Sequence, residues 1–176
     1  ESDSNYSAVV QEILLANTKV LGNNYVGGFV GATPTGKQVT PAKFYNIIIV
    51  ADCSTTATSN PSIGVVNGQD TRLYSNIQLT TFRIYKNNRL NGVYASSLSL
   101  PHIASQYYAD QTNLGTESYY TNLNFVTNRW SYTKLASGYF PKVKKWSTAN
   151  QDIKDEQKDL LRPETVVNFS TRRLMD

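Results

Sequence analysis

The sequence predicts a mainly β fold, a parallel β-helix or solenoid of about three rungs closed by an aromatic C-terminal cap and carrying one short helix. Two observations carry that expectation. The chain repeats itself: Ile13, Ile47 and Ile77 each follow Glu or Asn and open a short apolar run, at intervals of 34 and then 30 residues. Glycines follow the same beat, with Gly28, Gly64 and Gly92 falling 15, 17 and 15 residues after those isoleucines, each before an apolar pair. A unit of that size with two short strands cannot bury its apolar face alone, whereas stacked copies pairing in parallel can.

Taken in order, the first stretch, residues 6–21, has Val9-Val10, Ile13-Leu14-Leu15 and Val20-Leu21 as its apolar positions. Periodicity alone leaves helix and strand open there, and the repeat decides for strand. Residues 25–31, Tyr-Val-Gly-Gly-Phe-Val-Gly, alternate glycine with apolar side chains, as a tight turn with close backbone approach requires. The loops between repeats, 33–42 and 54–62, are rich in Thr, Ser, Pro, Asn and Gly, the residues of turns. Over 98–120 the rhythm breaks, and the two pairs Tyr107-Tyr108 and Tyr119-Tyr120 stand out. Trp130, Tyr132, Leu135, Phe140 and Val143 are expected to plug the last rung, since an open sheet edge templates aggregation. Residues 150–161 carry helix formers with Ile153, Gln157 and Leu160-Leu161 on one side, ending before Pro163, and 165–169 reads as a final strand. The expected division is a capped solenoid over 1–146 and a helix with a terminal strand or tail over 147–176.

Composition bounds the function. A chain of 176 residues can bury a core without a staple, and a lone cysteine, Cys53, makes no disulfide framework. Charged residues make up 17% while tyrosines number 12, a balance common in extracellular β-rich proteins. The net charge of +4 is modest, and the basic groups Lys142, Lys144, Lys145 and Arg172-Arg173 read as solvated faces, so no nucleic-acid partner is expected. No apolar run approaches the ~20 residues of a membrane span. The opening Glu1-Ser-Asp-Ser-Asn5 reads as a mature product or excised domain.

Chemistry is sparse. Residues 31–37 match the phosphate-loop spacing G-x-x-x-x-G-K, but Gln38 stands where a Ser or Thr hydroxyl holds Mg²⁺, and Thr40-Pro41 leaves little room for the helix that would face the phosphates. Only nine residues separate Lys37 from Ile47, too few for a parallel crossover. His102 is the only histidine, so neither a triad nor a histidine metal site has the residues it needs. Asp52, Asp70 and Asp110 lie near strand ends, where the paired acids of a β-helical lyase or glycosidase would sit. Tyr107, Tyr108, Tyr119, Tyr120 and Trp146 are the candidate binding residues, either lining a glycan or protein contact or packing the cap. Gly27, Gly28, Gly31, Gly64 and Gly92 are the structural turns, with Gly28, Gly64 and Gly92 expected to stack in register along one edge.

The motif Val26-Gly-Gly-Phe-Val-Gly31 is similar to the GLUG motif, a glycine-bracketed apolar repeat of bacterial surface proteins, with degraded copies in Ile63-Gly-Val-Val-Asn-Gly68 and Leu90-Asn-Gly-Val-Tyr-Ala95. Tyr119-Tyr-Thr-Asn-Leu-Asn-Phe125, Trp130-Ser-Tyr132, Leu135 and Gly138-Tyr-Phe-Pro-Lys-Val143 look like the segment that closes such arrays. Together, over residues 10–146, they resemble the non-catalytic N-terminal regions of immunoglobulin A proteases and related zinc metalloproteases of Gram-positive surfaces. His-Glu-x-x-His is absent. The resemblance therefore implies a secreted or surface-attached bacterial recognition or spacer domain, presenting substrate to a catalytic domain elsewhere, with a host protein or glycan as partner and neither cofactor nor metal. The competing expectation is a β-helical carbohydrate-active enzyme using loop carboxylates.

Overall fold

The computed structural model describes residues 9–31, 42–58, 62–66, 68, 77–98, 100, 103–144 and 158–165, of which 45% is strand. Lys37, Asp70, His102 and Trp146, and the stretches 32–41 and 145–157, lie outside the described residues.

A mixed half-barrel sheet of six strands organises the molecule. At its centre is β3 (Ala42–Thr55), paired in parallel on one side with β1 (Val9–Gly22) and on the other with β5 (Ile77–Tyr85) and then β6 (Arg89–Leu90). The run Ile47-Ile-Ile-Val-Ala is apolar throughout because both faces of this strand are covered, as in parallel sheets generally. Alternation splits it between two cores. Ile47, Ile49, Ala51 and Cys53 point into one, with Val26, Val65, Val66, Phe82, Ile84, Leu90 and Ala95. Ile48 and Val50 point into the other, with Tyr85, Ala109, Leu114, Tyr120, Leu123, Phe125, Trp130, Leu135 and Phe140.

The first core is roofed by the glycine motifs. In a separate small sheet, β2 (Tyr25–Gly27) pairs in parallel with β4 (Ser62–Gly64), setting Gly27 opposite Gly64. The chains stay interlocked beyond it: Gly28 N–H donates to Val65 O at 3.1 Å, Val30 N–H to Val66 O at 2.9 Å and Gly68 N–H to Val30 O at 2.9 Å. Glycine is required here by proximity. A Cβ on Gly27 would stand 1.9 Å from Val30 O, and one on Gly28 2.2 Å from Val65 O.

The three-rung solenoid does not form. The first two repeats pair as their isoleucines suggest, with Ile13 opposite Ile47, but Ile77 falls opposite Ala42, and the β5 partner of Ile47 is Phe82. The third glycine motif folds as a hairpin. Asn91 and Gly92, with φ of 49° and 83°, form the two-residue turn between β6 and β7 (Val93–Tyr94), and both residues on the left-handed side is the type I′ signature. This antiparallel pair joins the main sheet instead of stacking on β2 and β4, so Gly92 is out of the expected glycine row, and the row is also broken at its start, since Gly64 pairs with Gly27 and not with Gly28.

The aromatic segment is likewise a face layer and not an end cap. After β8 (Tyr108–Ala109), which pairs with the end of β5, come α1 (Gln111–Leu114) and α2 (Glu117–Thr121), then β9 (Trp130–Ser131) antiparallel to β10 (Lys142–Val143). Of the residues expected to plug a last rung, Trp130, Tyr132, Leu135 and Phe140 pack in the second core, and Val143, 46% exposed, does not. The helix expected over 150–161 is absent from its described end, since 158–160 has no helical structure and Leu161 bridges Tyr139. The two short helices lie instead where the repeat rhythm breaks. Asp110 starts α1 through a capping box, its carboxylate accepting from Asn113 N–H at 2.8 Å while Asn113 Oδ1 accepts from Asp110 N–H at 2.9 Å.

Candidate functional site

The site follows from a gap in the ladder of β3. On the β1 side the register shifts between Leu15 and Thr18, where Asn17 has a φ of 48°. On the other side β5 stops pairing at Ile49–Ile84, and β6 resumes only at Asp52–Arg89. Asn88 fills the interval. Its Nδ2 donates to Ile49 O at 3.0 Å and its Oδ1 accepts from Ala51 N–H at 2.9 Å, so one side-chain amide stands in for a strand residue. Asn88 is 1% exposed, the only buried polar side chain among the described residues.

Beyond Val50 the even face of β3 runs out from under the aromatic layer, and a cleft of about 410 Å³ opens. Its floor is Val50, Ala51 and Asp52 of β3; Asn17, Thr18 and Lys19 of β1 form one wall, and Tyr85, Asn87, Asn88, Arg89 and Tyr94 the other. Pro163 and Glu164 close an end. Register places Lys19, Asp52 and Arg89 side by side across three strands, a row of alternating charge. The Arg89 guanidinium lies 5.1 Å from the centre of the Tyr94 ring.

Tyr85 sits deepest. The residue is 2% exposed and its hydroxyl is closed off from solvent; among the described residues the hydroxyl makes no well-formed hydrogen bond, although the Glu164 carboxylate and the Asn87 amide lie beside it. Burial foremost, then the nearby Glu164 carboxylate, pushes its pKa well above the usual phenol value. Asn87 instead donates its side-chain amide to Glu164, whose backbone holds a φ of 58°. The segment carrying Pro163 and Glu164 is fixed from below: Arg162 Nη1 donates to Leu135 O at 2.9 Å and to Leu114 O at 3.2 Å, and Phe140 N–H donates to Leu160 O at 2.8 Å.

The aromatic residues singled out from the sequence stand apart from this cleft. Tyr107 stacks on Phe82 with ring centres 4.4 Å apart, and the Tyr108 hydroxyl donates to Ala95 O at 3.3 Å. Tyr120 is fully buried, donating to Leu114 O at 2.8 Å, and Tyr119 meets it edge-on at 6.2 Å. Among the acids, Asp110 is engaged by its helix cap, whereas Asp52 shares the cleft with Glu164. Gly31 borders the interlocked motifs, where a Cβ would lie 3.1 Å from Tyr25 O. Sequence reasoning reached Asp52 but missed Lys19, Tyr85, Asn88, Arg89, Tyr94 and Glu164. The one local signal was Asn87-Asn88 just after an apolar strand, which marks a turn but not the ladder role of its second amide.

Among the described residues no group of three or more His, Cys, Asp or Glu is placed to hold a metal ion, and no helix is long and apolar enough to cross a membrane. Comparison with protein-family models, with curated proteins and with solved structures finds no match.

Proposed function

We propose that the chain is a non-catalytic recognition domain of a secreted or surface-attached bacterial protein, and that the cleft beside Asn88 is where it takes its ligand. The observation that carries this is the cleft itself, where register sets Lys19, Asp52 and Arg89 in one row and Glu164 closes an end, so that charged groups able to hydrogen-bond a ligand converge on one concavity. Cleft size agrees, since small-molecule sites run from about 300 to 1,000 Å³. The likeness of 26–31 and 119–143 to segments of Gram-positive surface metalloproteases supplies the context, in which this piece would present substrate to a catalytic domain elsewhere.

The test is adhesion of the labelled chain to intact epithelial cells, compared with the double variant Asp52→Ala, Arg89→Ala. Cell binding lost in the variant supports the reading. Equal binding by both, or by neither, removes the cleft as a recognition site. The Asp52 and Glu164 carboxylates keep one enzymatic reading in view, a carbohydrate-active one, and sustained turnover of a polysaccharide panel abolished by Asp52→Asn would favour it over simple recognition.

A further inference from the structure

Resting on that reading, we infer that the cleft is a subsite for a neutral, hydroxyl-rich sugar unit. Three features of the walls select that chemistry. Formal charge cancels, with Lys19 and Arg89 set against Asp52 and Glu164, so neither a phosphate nor a cationic group finds a matching field. Charged side chains that cancel in sum still offer strong hydrogen bonds of both senses, which vicinal hydroxyls answer as donor and acceptor at once. Tyr94, 42% exposed, contributes an aromatic ring at the rim, a surface suited to the apolar C–H face of a sugar ring.

An extended peptide fits less well. Peptides commonly bind sheet proteins by adding a strand to an open edge. At this level β3 has β1 on one side and the Asn88 amide followed by β6 on the other, so no backbone edge of β3 is open within the cleft.

The experiment is a titration of the isotope-labelled chain, followed by NMR, with lactose, N-acetyllactosamine, maltose, cellobiose and mannobiose. Sialyllactose and a random tetrapeptide mixture are run alongside. The expected result is saturable shifts at the side-chain amides of Asn87 and Asn88 with at least one neutral sugar. Asp52→Asn, which keeps the shape and removes the charge, should weaken that binding roughly tenfold, and Tyr25→Ser, on the small sheet, should leave it unchanged. Shifts with sialyllactose alone, or with peptides alone, overturn the neutral-sugar assignment while leaving the recognition reading intact. No shift with any probe overturns it too, and if cell adhesion also proves independent of the cleft, both readings fall together.

Discussion

Asn88 reaches across from the end of β5 and hydrogen-bonds Ile49 at 3.0 Å, completing with a side chain the ladder that the backbone leaves open. The same amide accepts from Ala51 N–H, so the central strand stays satisfied through the level at which the cleft opens. Asn88→Ala leaves Ile49 O and Ala51 N–H buried and unpaired. A loss of about 3 kcal/mol is expected, read as a lower urea midpoint. Asn88→Asp should rescue little, because it restores the acceptor but not the donor.

Tyr85→Phe should move stability the other way. Removing a buried hydroxyl that makes no well-formed hydrogen bond among the described residues is expected to be neutral or to stabilise by up to about 1 kcal/mol. Thermal melts of the two proteins decide it. A clear destabilisation would mean that the approach of the hydroxyl to Glu164 is a full hydrogen bond.

Two glycines of the repeat should respond differently to alanine. At Gly28 the new Cβ meets Val65 O at 2.2 Å, and two interlocked segments must part, at a cost of about 2–3 kcal/mol. At Gly92 nothing lies within 4 Å, but a φ of 83° remains, so Gly92→Ala should cost about 1–2 kcal/mol and Gly92→Asn less. Equal costs in chemical denaturation would contradict this distinction between crowding and backbone conformation.

Alkaline pH should unfold the protein by a route that passes through Cys53. Burial chiefly, with Asp52 adding to it, raises the thiol pKa from 9.0 to about 11. The folded value lies above the unfolded one, so the unfolded chain gives up its proton first. This thiol therefore takes nothing from stability below pH 9.0, and stability falls as pH rises from there through about 11. Tyr120 and Tyr132, raised chiefly by burial, the latter to about 12, extend the loss above pH 10. Urea midpoints should decline across this window, and Cys53→Ala should flatten the part below about pH 11. An unchanged slope in that variant would exclude the thiol.

Arg162 holds the end wall of the cleft through Leu114 and Leu135, both carbonyls accepting from the one nitrogen Nη1, at a reach that the shorter lysine side chain does not match. In Arg162→Lys, amide exchange at residues 160–165 should accelerate at least several-fold while that of β3 is unchanged. Parallel acceleration in both would show global destabilisation instead.

What was legible in the sequence was whatever local pattern controls. The isoleucine spacing located β1 and β3 and their register, and the glycine-apolar alternation located the interlocked motifs. The third repeat failed because Asn91-Gly92 also spells a hairpin turn, and once the turn forms, β7 folds back on β6. The aromatic segment was recognised as packing, but which surface it packs on depends on β3 being apolar on both faces. The cleft was hidden for another reason. Its walls come from residues 17–19, 50–52, 85, 87–89, 94 and 163–164, brought together by a register gap and a side-chain bridge that no spacing encodes.

The two-faced burial of β3 also bears on how the chain must be made. Ile47-Ile-Ile-Val-Ala, with its high β propensity, no charge and no proline, is the kind of segment that seeds intermolecular zippers when bare. One of its faces waits for Phe82 and Ile84, and the other for residues as distant as Phe140. As the chain emerges from N- to C-terminus, its stickiest segment remains unshielded until nearly a hundred further residues have appeared. Synthesis thus opens an interval of aggregation risk, and truncations that end before Phe140 should express as inclusion bodies.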